Sequence, residues 1–361
     1  MIPLSSVSIG PKEIAYVTEA IETGWISSTG KFVAEFEKAL ATVTRRSYAL
    51  AVTNGTVALE VVLRALGVGP GDEVIVPALT FVAPAAAVAT VGALPVFAEV
   101  TEESWTLDVR DVVRHITPKT KAILAVDLLG HPCDYDALAA VASGIPIVED
   151  AAQAHGASYK GSPAGSFGLA STFSFHANKA IATGEGGAVL TDSKELLDLL
   201  WLYTNHGMTK ERPYYHEIVG HNFRMTNLTA AIGLGQVERW GELTAARNRV
   251  AAMYDYCLNG VKGLYRRPVA DWATESCWLY AVGISGGKKN HVLDALRQAK
   301  VDSRAIWTSL PELSIYAKGV KGEYLNAKKI SHEVIWLPTS AVMTVESVNY
   351  IADIIIKSLK E

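Results

Sequence analysis

One lysine stands alone in the run FSFHANKAIATGEGGAVLTD, residues 173–192, between alternating aromatic and small residues and a glycine-rich break. The primary amine of Lys179 can form a Schiff base with a carbonyl compound and, as the free base, carry a proton. Upstream, TNGT at 53–56 lies where a strand hands over to a helix. The unpaired N–H groups and the dipole of a helix start favour an anion such as phosphate. Asp150 ends the run IPIVED, at the carboxyl end of a strand, where parallel sheets meet their ligands. A carboxylate buried there needs a cation or hydrogen bonds. Phe81, in TFVAP, adds a ring face. Singly, each has a plainer use: a solvated loop lysine, a helix cap at Asn54 or Thr56, a capping aspartate. Together, in the order phosphate turn, aromatic, aspartate, lysine, they match the needs of pyridoxal 5'-phosphate. Its aldehyde takes a lysine, its ring nitrogen a carboxylate and its phosphate backbone amides.

The elements that must position these residues follow from periodicity. Ile14 to Thr23 and Phe32 to Ala41 read as early helices, separated by GWISSTGK. Tyr48 to Val52 reads as a strand, followed by a helix from near Thr56 whose apolar face carries Val57, Leu59, Val61, Val62, Leu63 and Leu66 and which ends at Gly67. Strand-like runs recur at VIVPA, VGALPVFAEV, KAILAVDLL, IPIVEDAA, STFSF and GAVLTD, with helical stretches between several of them. That alternation predicts an α/β fold with a mostly parallel mixed sheet covered by helices. After about Trp240 the texture changes: a helix over Glu242 to Leu258, a strand in SCWLYAVGIS, a helix through Val292 to Ala299, then WTSLPELSIY, VIWLPTS and a final helix. The expected division is a large domain over 1–240 and a smaller α+β domain over 241–361.

Bulk properties exclude several classes. The 361 residues are 49% hydrophobic and 19% charged, with a formal charge of −4 and a pI near 6.2, which leaves no basic footprint for nucleic acid. Cys133, Cys257 and Cys277 lie far apart without a CxxC pair, so neither a disulfide framework nor a zinc site is expected. Val74 to Ala98 carries no charge and is long enough to span a bilayer. Pro77, Pro84, Gly92 and Pro95 interrupt it, and buried parallel strands flanking a helix explain it without a membrane. The start, MIPLSSVSIGPKE, lacks the basic end and apolar run of a signal peptide, so a cytoplasmic location is expected. GVGPGD at 67–72 is no dinucleotide loop: its glycine spacing is wrong and it follows a helix instead of a strand.

The motifs NGTVAL, ALGVGPGDEVIVPALTFVA, EDAAQAHGA, FSFHANKAIATGEGGAVLTD and GHNFRMTNLTAAIGLGQVE resemble, in order, those of the DegT/DnrJ/EryC1/StrS sugar-nucleotide aminotransferases. That family shares pyridoxal-phosphate fold type I, the fold of aspartate aminotransferase. HNFRMTN and VDSRAIWTSLPELSIY look most like the perosamine synthases, which aminate C4 of a GDP-linked 4-keto-6-deoxymannose. The resemblance implies that Lys179 carries the cofactor as a Schiff base and moves the proton, and that Asp150 pairs with the ring nitrogen. It implies Gln153 on the phenolic oxygen, Phe81 on the ring face, and Gly55, Thr56 and Ser174 on the phosphate. Asn222 matches an asparagine that a neighbouring subunit supplies, so a homodimer or higher assembly with shared sites is implied. Trp25, His176, Arg224 and Arg304 are the candidate substrate contacts. The implied substrates are L-glutamate and a keto-sugar nucleotide. Related 3-dehydratases carry histidine at the Schiff-base position; lysine there implies amino transfer. The chain departs from the family at Asp127, where many relatives have histidine, and in the run from Arg304 to Pro311, where many show Pro-Leu-His or Pro-Met-His after an Arg-Pro. Both stretches are expected in or near the sugar-facing part of the site.

Other readings stay open on the sequence: amination at C3 or of another keto sugar, a 3-dehydratase-like relative, or a non-catalytic cofactor-binding sensor. A nicotinamide-dependent sugar enzyme has only GVGPGD in its favour.

Overall fold

Seven strands set the frame: β1 (Tyr48–Val52), β2 (Glu73–Pro77), β3 (Leu94–Ala98), β4 (Thr120–Val126), β5 (Ile147–Asp150), β6 (Ala170–Ser174) and β7 (Gly187–Thr191). The computed structural model describes residues 1–209, 211–317 and 322–360. The strands form one sheet in the order β1-β7-β6-β5-β4-β2-β3. β7 pairs antiparallel with both neighbours, while the pairs from β6 to β3 are parallel. β1 therefore points the same way as β6, and β7 alone is reversed. This is the mixed α/β sheet of fold type I. Helices cover both faces, as apolar residues on every strand require.

The early helices run over Pro11–Glu22 and Lys31–Thr44, and the helix after β1 over Gly55–Ala65. The helix that the sequence places after Trp240 spans Trp240–Leu258. It leads to a second sheet made of Leu264–Tyr265, Tyr280–Ile284, Val334–Leu337 and Arg304–Ala305. We propose a domain division near Trp240. The contacts do not respect it at the start of the chain, however. Ile2 N–H donates to the Lys300 carbonyl at 2.9 Å, and Thr339 N–H to that of Leu4 at 2.8 Å, so residues 2–4 pack on the second half. One apolar cluster likewise runs from the large sheet (Val76, Leu124, Val148) into the second half at Trp278, Leu279 and Trp336. Three two-residue strands, Ser158–Tyr159, Ser162–Pro163 and Ala273–Thr274, form a further small sheet. They are too short to show a period in the sequence.

Among the described residues no helix is long and apolar enough to cross a membrane. The uncharged stretch after Val74 is accounted for by β2, the helix Ala83–Thr90 and β3.

Candidate active site

The candidate residues converge because the strands that carry them end at one edge of the sheet. β1 stops at Val52, and the next helix starts at Gly55. Asn54 caps it, Oδ1 accepting the N–H of Val57 at 2.9 Å. A helix's first N–H groups have no acceptor inside the helix, so those of Gly55 and Thr56 remain for an anion. Gly187, at the start of the reversed β7, lies in register with both Val52 and Ser174. That register brings Ser174 against the turn. A Cβ on Gly55 would come within 2.7 Å of Ser174 Cβ, and one on Gly187 within 2.4 Å of the Asn54 carbonyl. Of the three glycines in GEGG, only Gly184 needs its backbone freedom, with φ +88. Gly186 and Gly187 are there for room.

Asp150 is the last residue of β5 and is buried; its Oδ1 accepts the Ala152 N–H at 3.0 Å. Burial raises its carboxyl to about 6, opposed by that N–H and by the Lys179 ammonium. Burial pulls the Lys179 amine down to about 7; Asp150 opposes the fall and the Arg247 guanidinium adds to it. A desolvated amine poised near neutrality is suited to carrying a proton. Gln153 is buried, and its Oε1 accepts the Leu129 N–H at 2.9 Å. That orients its NH2 group as a donor, as an anionic oxygen would require. Phe81 keeps an exposed ring, 5.8 Å from Trp307.

Pyridoxal phosphate fits this set: amine, carboxylate, amide donor, ring face and a cradle that side chains on Gly55 or Gly187 would fill. Arg224 sits beside the same turn, bridged to Val52, with its Nε buried and unpartnered among the described residues. Asn222 is exposed two residues earlier. Trp25 is exposed. His176 is exposed too, its Nδ1 3.0 Å from Asn178 Oδ1. Arg304 is exposed and pairs with Asp302 at 3.3 Å.

Asp127 and Pro311, at the two departures from the family pattern, are both buried. Asp127 is fully buried, with Oδ1 accepting from Cys133 N–H at 2.9 Å and Tyr135 O–H at 2.7 Å. It follows β4 on the face shared with Glu149, not with Asp150, because side chains alternate along a strand. Pro311 is buried in the turn Leu310–Glu312, whose first N–H bonds the Ala78 carbonyl at 2.8 Å.

Arg247 and Trp278 lie behind Lys179 without belonging to any motif that marks them in the sequence. Arg247 is 2% exposed; it donates to the carbonyls of Trp278 (2.6 Å), Thr339 (3.0 Å) and Lys179 (3.0 Å). Its position on one face of a long helix was the available signal. His155, from the EDAAQAHGA motif, is buried among Phe173, Phe175 and Trp240. Burial, then the cations Lys179 and Arg247, hold it neutral.

A model of the DegT/DnrJ/EryC1/StrS aminotransferase family matches residues 7–356. The chain belongs to that family. DegT/DnrJ/EryC1/StrS aminotransferases depend on pyridoxal phosphate, and this chain is such an enzyme. It is 39% identical to the GDP-perosamine synthase of Caulobacter vibrioides, over 95% of this chain and 94% of that one. It is 36% identical to the GDP-perosamine synthase of Escherichia coli O157:H7, over 98% and 97%. Over 64% of its length, and 65% of the relative's, it is 43% identical to the UDP-2-acetamido-2-deoxy-3-oxo-D-glucuronate aminotransferase of Pseudomonas aeruginosa. Among solved structures, the pyridoxal-phosphate form of Spr1654 from Streptococcus pneumoniae superposes with a TM-score of 0.93 at 31% identity, covering 99% and 98% of the two chains.

Proposed function

We propose that the enzyme moves an amino group from L-glutamate to a keto-sugar nucleotide, at C4 of a GDP-linked 4-keto-6-deoxyhexose. The observation that carries the reading is near full-length similarity to two GDP-perosamine synthases, joined to a lysine at position 179.

Pyridoxal phosphate, when bound, supplies the aldehyde that accepts the amino group and a ring that stabilises negative charge on the substrate carbon. Lys179 is the residue to hold it and, once released, to lift the proton from the donor amino acid and return one to the sugar carbon. Its depressed pKa leaves a usable fraction as free base near neutral pH. Asp150 keeps one carboxylate oxygen for the ring nitrogen, since Ala152 N–H engages the other. Its buried setting strengthens that charge–charge interaction. Gln153 would donate to the phenolic oxygen, and Gly55, Thr56 and Ser174 would bind the phosphate, with Asn222 supplied by a second subunit. Phe81 would cover one ring face. Trp25, His176, Arg224 and Arg304 line the approach for the sugar nucleotide, the two arginines suiting diphosphate or carboxylate groups.

A second reading is favoured by the Pseudomonas relative, whose name places the oxo group at C3 of a UDP-linked sugar. Incubating the amino form of the enzyme with GDP-, UDP- and dTDP-linked keto sugars separates the two. Return of the yellow colour with a GDP-4-keto-6-deoxyhexose alone supports the first reading. Return with a UDP-3-keto sugar alone supports the second.

A further inference from the structure

If Lys179 is the cofactor lysine, as read above, its amine is set free in each half-reaction and must stay within reach. The Lys179 Nζ lies 3.6 Å from the centroid of the Trp278 ring. The indole N–H of Trp278 donates to the Asn178 carbonyl at 2.9 Å, so the ring is tied to the residue preceding the lysine it faces. Trp278 is buried, with Trp307 stacked on it at 6.1 Å and Trp336 tilted against it at 5.8 Å. These neighbours fix the plane of the ring. From the helix Trp240–Leu258, Arg247 grips the carbonyls of both Lys179 and Trp278, holding the two residues in one frame. An ammonium over an aromatic face is attracted by the ring quadrupole, most strongly when desolvated. The charged and titratable groups that act on this amine are Asp150, which attracts it, Arg247, which repels it, and His155, which stays neutral.

We propose that Trp278 is a positioning residue that seats the Lys179 ammonium on its ring face whenever the amine is not covalently engaged. The seat offsets part of the desolvation of the charged form and keeps the side chain from wandering between half-reactions.

The test reads the lysine itself in the full-length chain stripped of cofactor. Acetic anhydride labelling of Lys179, resolved by peptide mass spectrometry across a pH series, gives its protonation midpoint. Loss of the ring in Trp278→Leu is expected to lower that midpoint by about one pH unit. Trp278→Phe, which keeps a ring but not the N–H, is expected to shift it less. An unchanged or raised midpoint in Trp278→Leu, or equal shifts in both variants, overturns the proposal. A second measurement does not depend on either variant folding. A step in tryptophan emission at the Lys179 midpoint is expected in the wild type and not in Lys179→Met; its absence from the wild type or persistence in Lys179→Met also overturns the proposal. Borohydride trapping of pyridoxal phosphate on Lys179 is scored separately. Failure there removes the cofactor reading, whereas the labelling midpoints still report on Trp278.

Discussion

Asp127 and Glu149 are both fully buried side by side, behind the strand end that carries Asp150. Glu149 Oε2 accepts the Phe167 N–H at 2.8 Å and Oε1 that of Gly165 at 2.5 Å. Asp127 Oδ1 is engaged too, so Oδ2, which has no other partner among the described residues, is the atom placed to carry a shared proton. Burial raises the Asp127 carboxyl from 3.8 to about 7, and burial with the Asp127 charge raises Glu149. The native state therefore binds a proton that the unfolded chain has released. That contribution to stability is complete below about pH 4 and is lost as pH rises toward 7. Asp127→Asn keeps a neutral donor of the same shape. Its stability relative to wild type should rise by about 1.4 kcal/mol per pH unit across that window. Denaturant melts at several pH values measure this, and a pH-independent difference would refute the shared proton. The sequence marked Asp127 as a departure but could not show which way it faces. One residue of register after β4 decides that.

At the scale of elements, the phosphate turn depends on β7 running backwards between β1 and β6. Gly187 then abuts Asn54, and Ser174 abuts Gly55. Gly55→Ala puts a methyl group 2.7 Å from Ser174 Cβ, so the turn or β6 must shift. Overpacking of this kind costs about 1–3 kcal/mol. Cofactor affinity is expected to fall roughly 10-fold or more by the same arithmetic, measured by absorbance titration of the stripped protein; unchanged affinity would mean that the cradle lies elsewhere. Most of the large sheet was legible because strands buried on both faces read as apolar runs broken by turns. Tyr48 to Val52 matches β1 residue for residue. The site was legible as far as its residues sit at strand ends and helix starts. Arg247 and Trp278 were not, because each reaches Lys179 through tertiary packing from the second half of the chain.

Over the whole molecule, the role proposed for Asn222, which lies exposed, requires two copies of the chain to share each site. Asn222→Ala and Lys179→Ala are each expected to be nearly inactive alone. Mixed by unfolding and refolding together, they should regain about a quarter of wild-type activity, since half the random dimers hold one intact site. No recovery in a verified mixed dimer would show that each chain builds its site alone. Arg247, itself tied to Trp278 and Thr339 within the second half, bonds the Lys179 carbonyl across the halves directly behind the reactive amine, so the lysine's position depends on both halves of the chain.

Lys179 is proposed to take up pyridoxal phosphate and to give it up to glutamate. Borohydride reduction of the cofactor-loaded protein, followed by peptide mass spectrometry, tests it most directly. The expected result is one modified peptide, carrying the cofactor on Lys179, whose labelling disappears when glutamate is added before the borohydride. Label on another lysine, or on Lys179 regardless of glutamate, would contradict it.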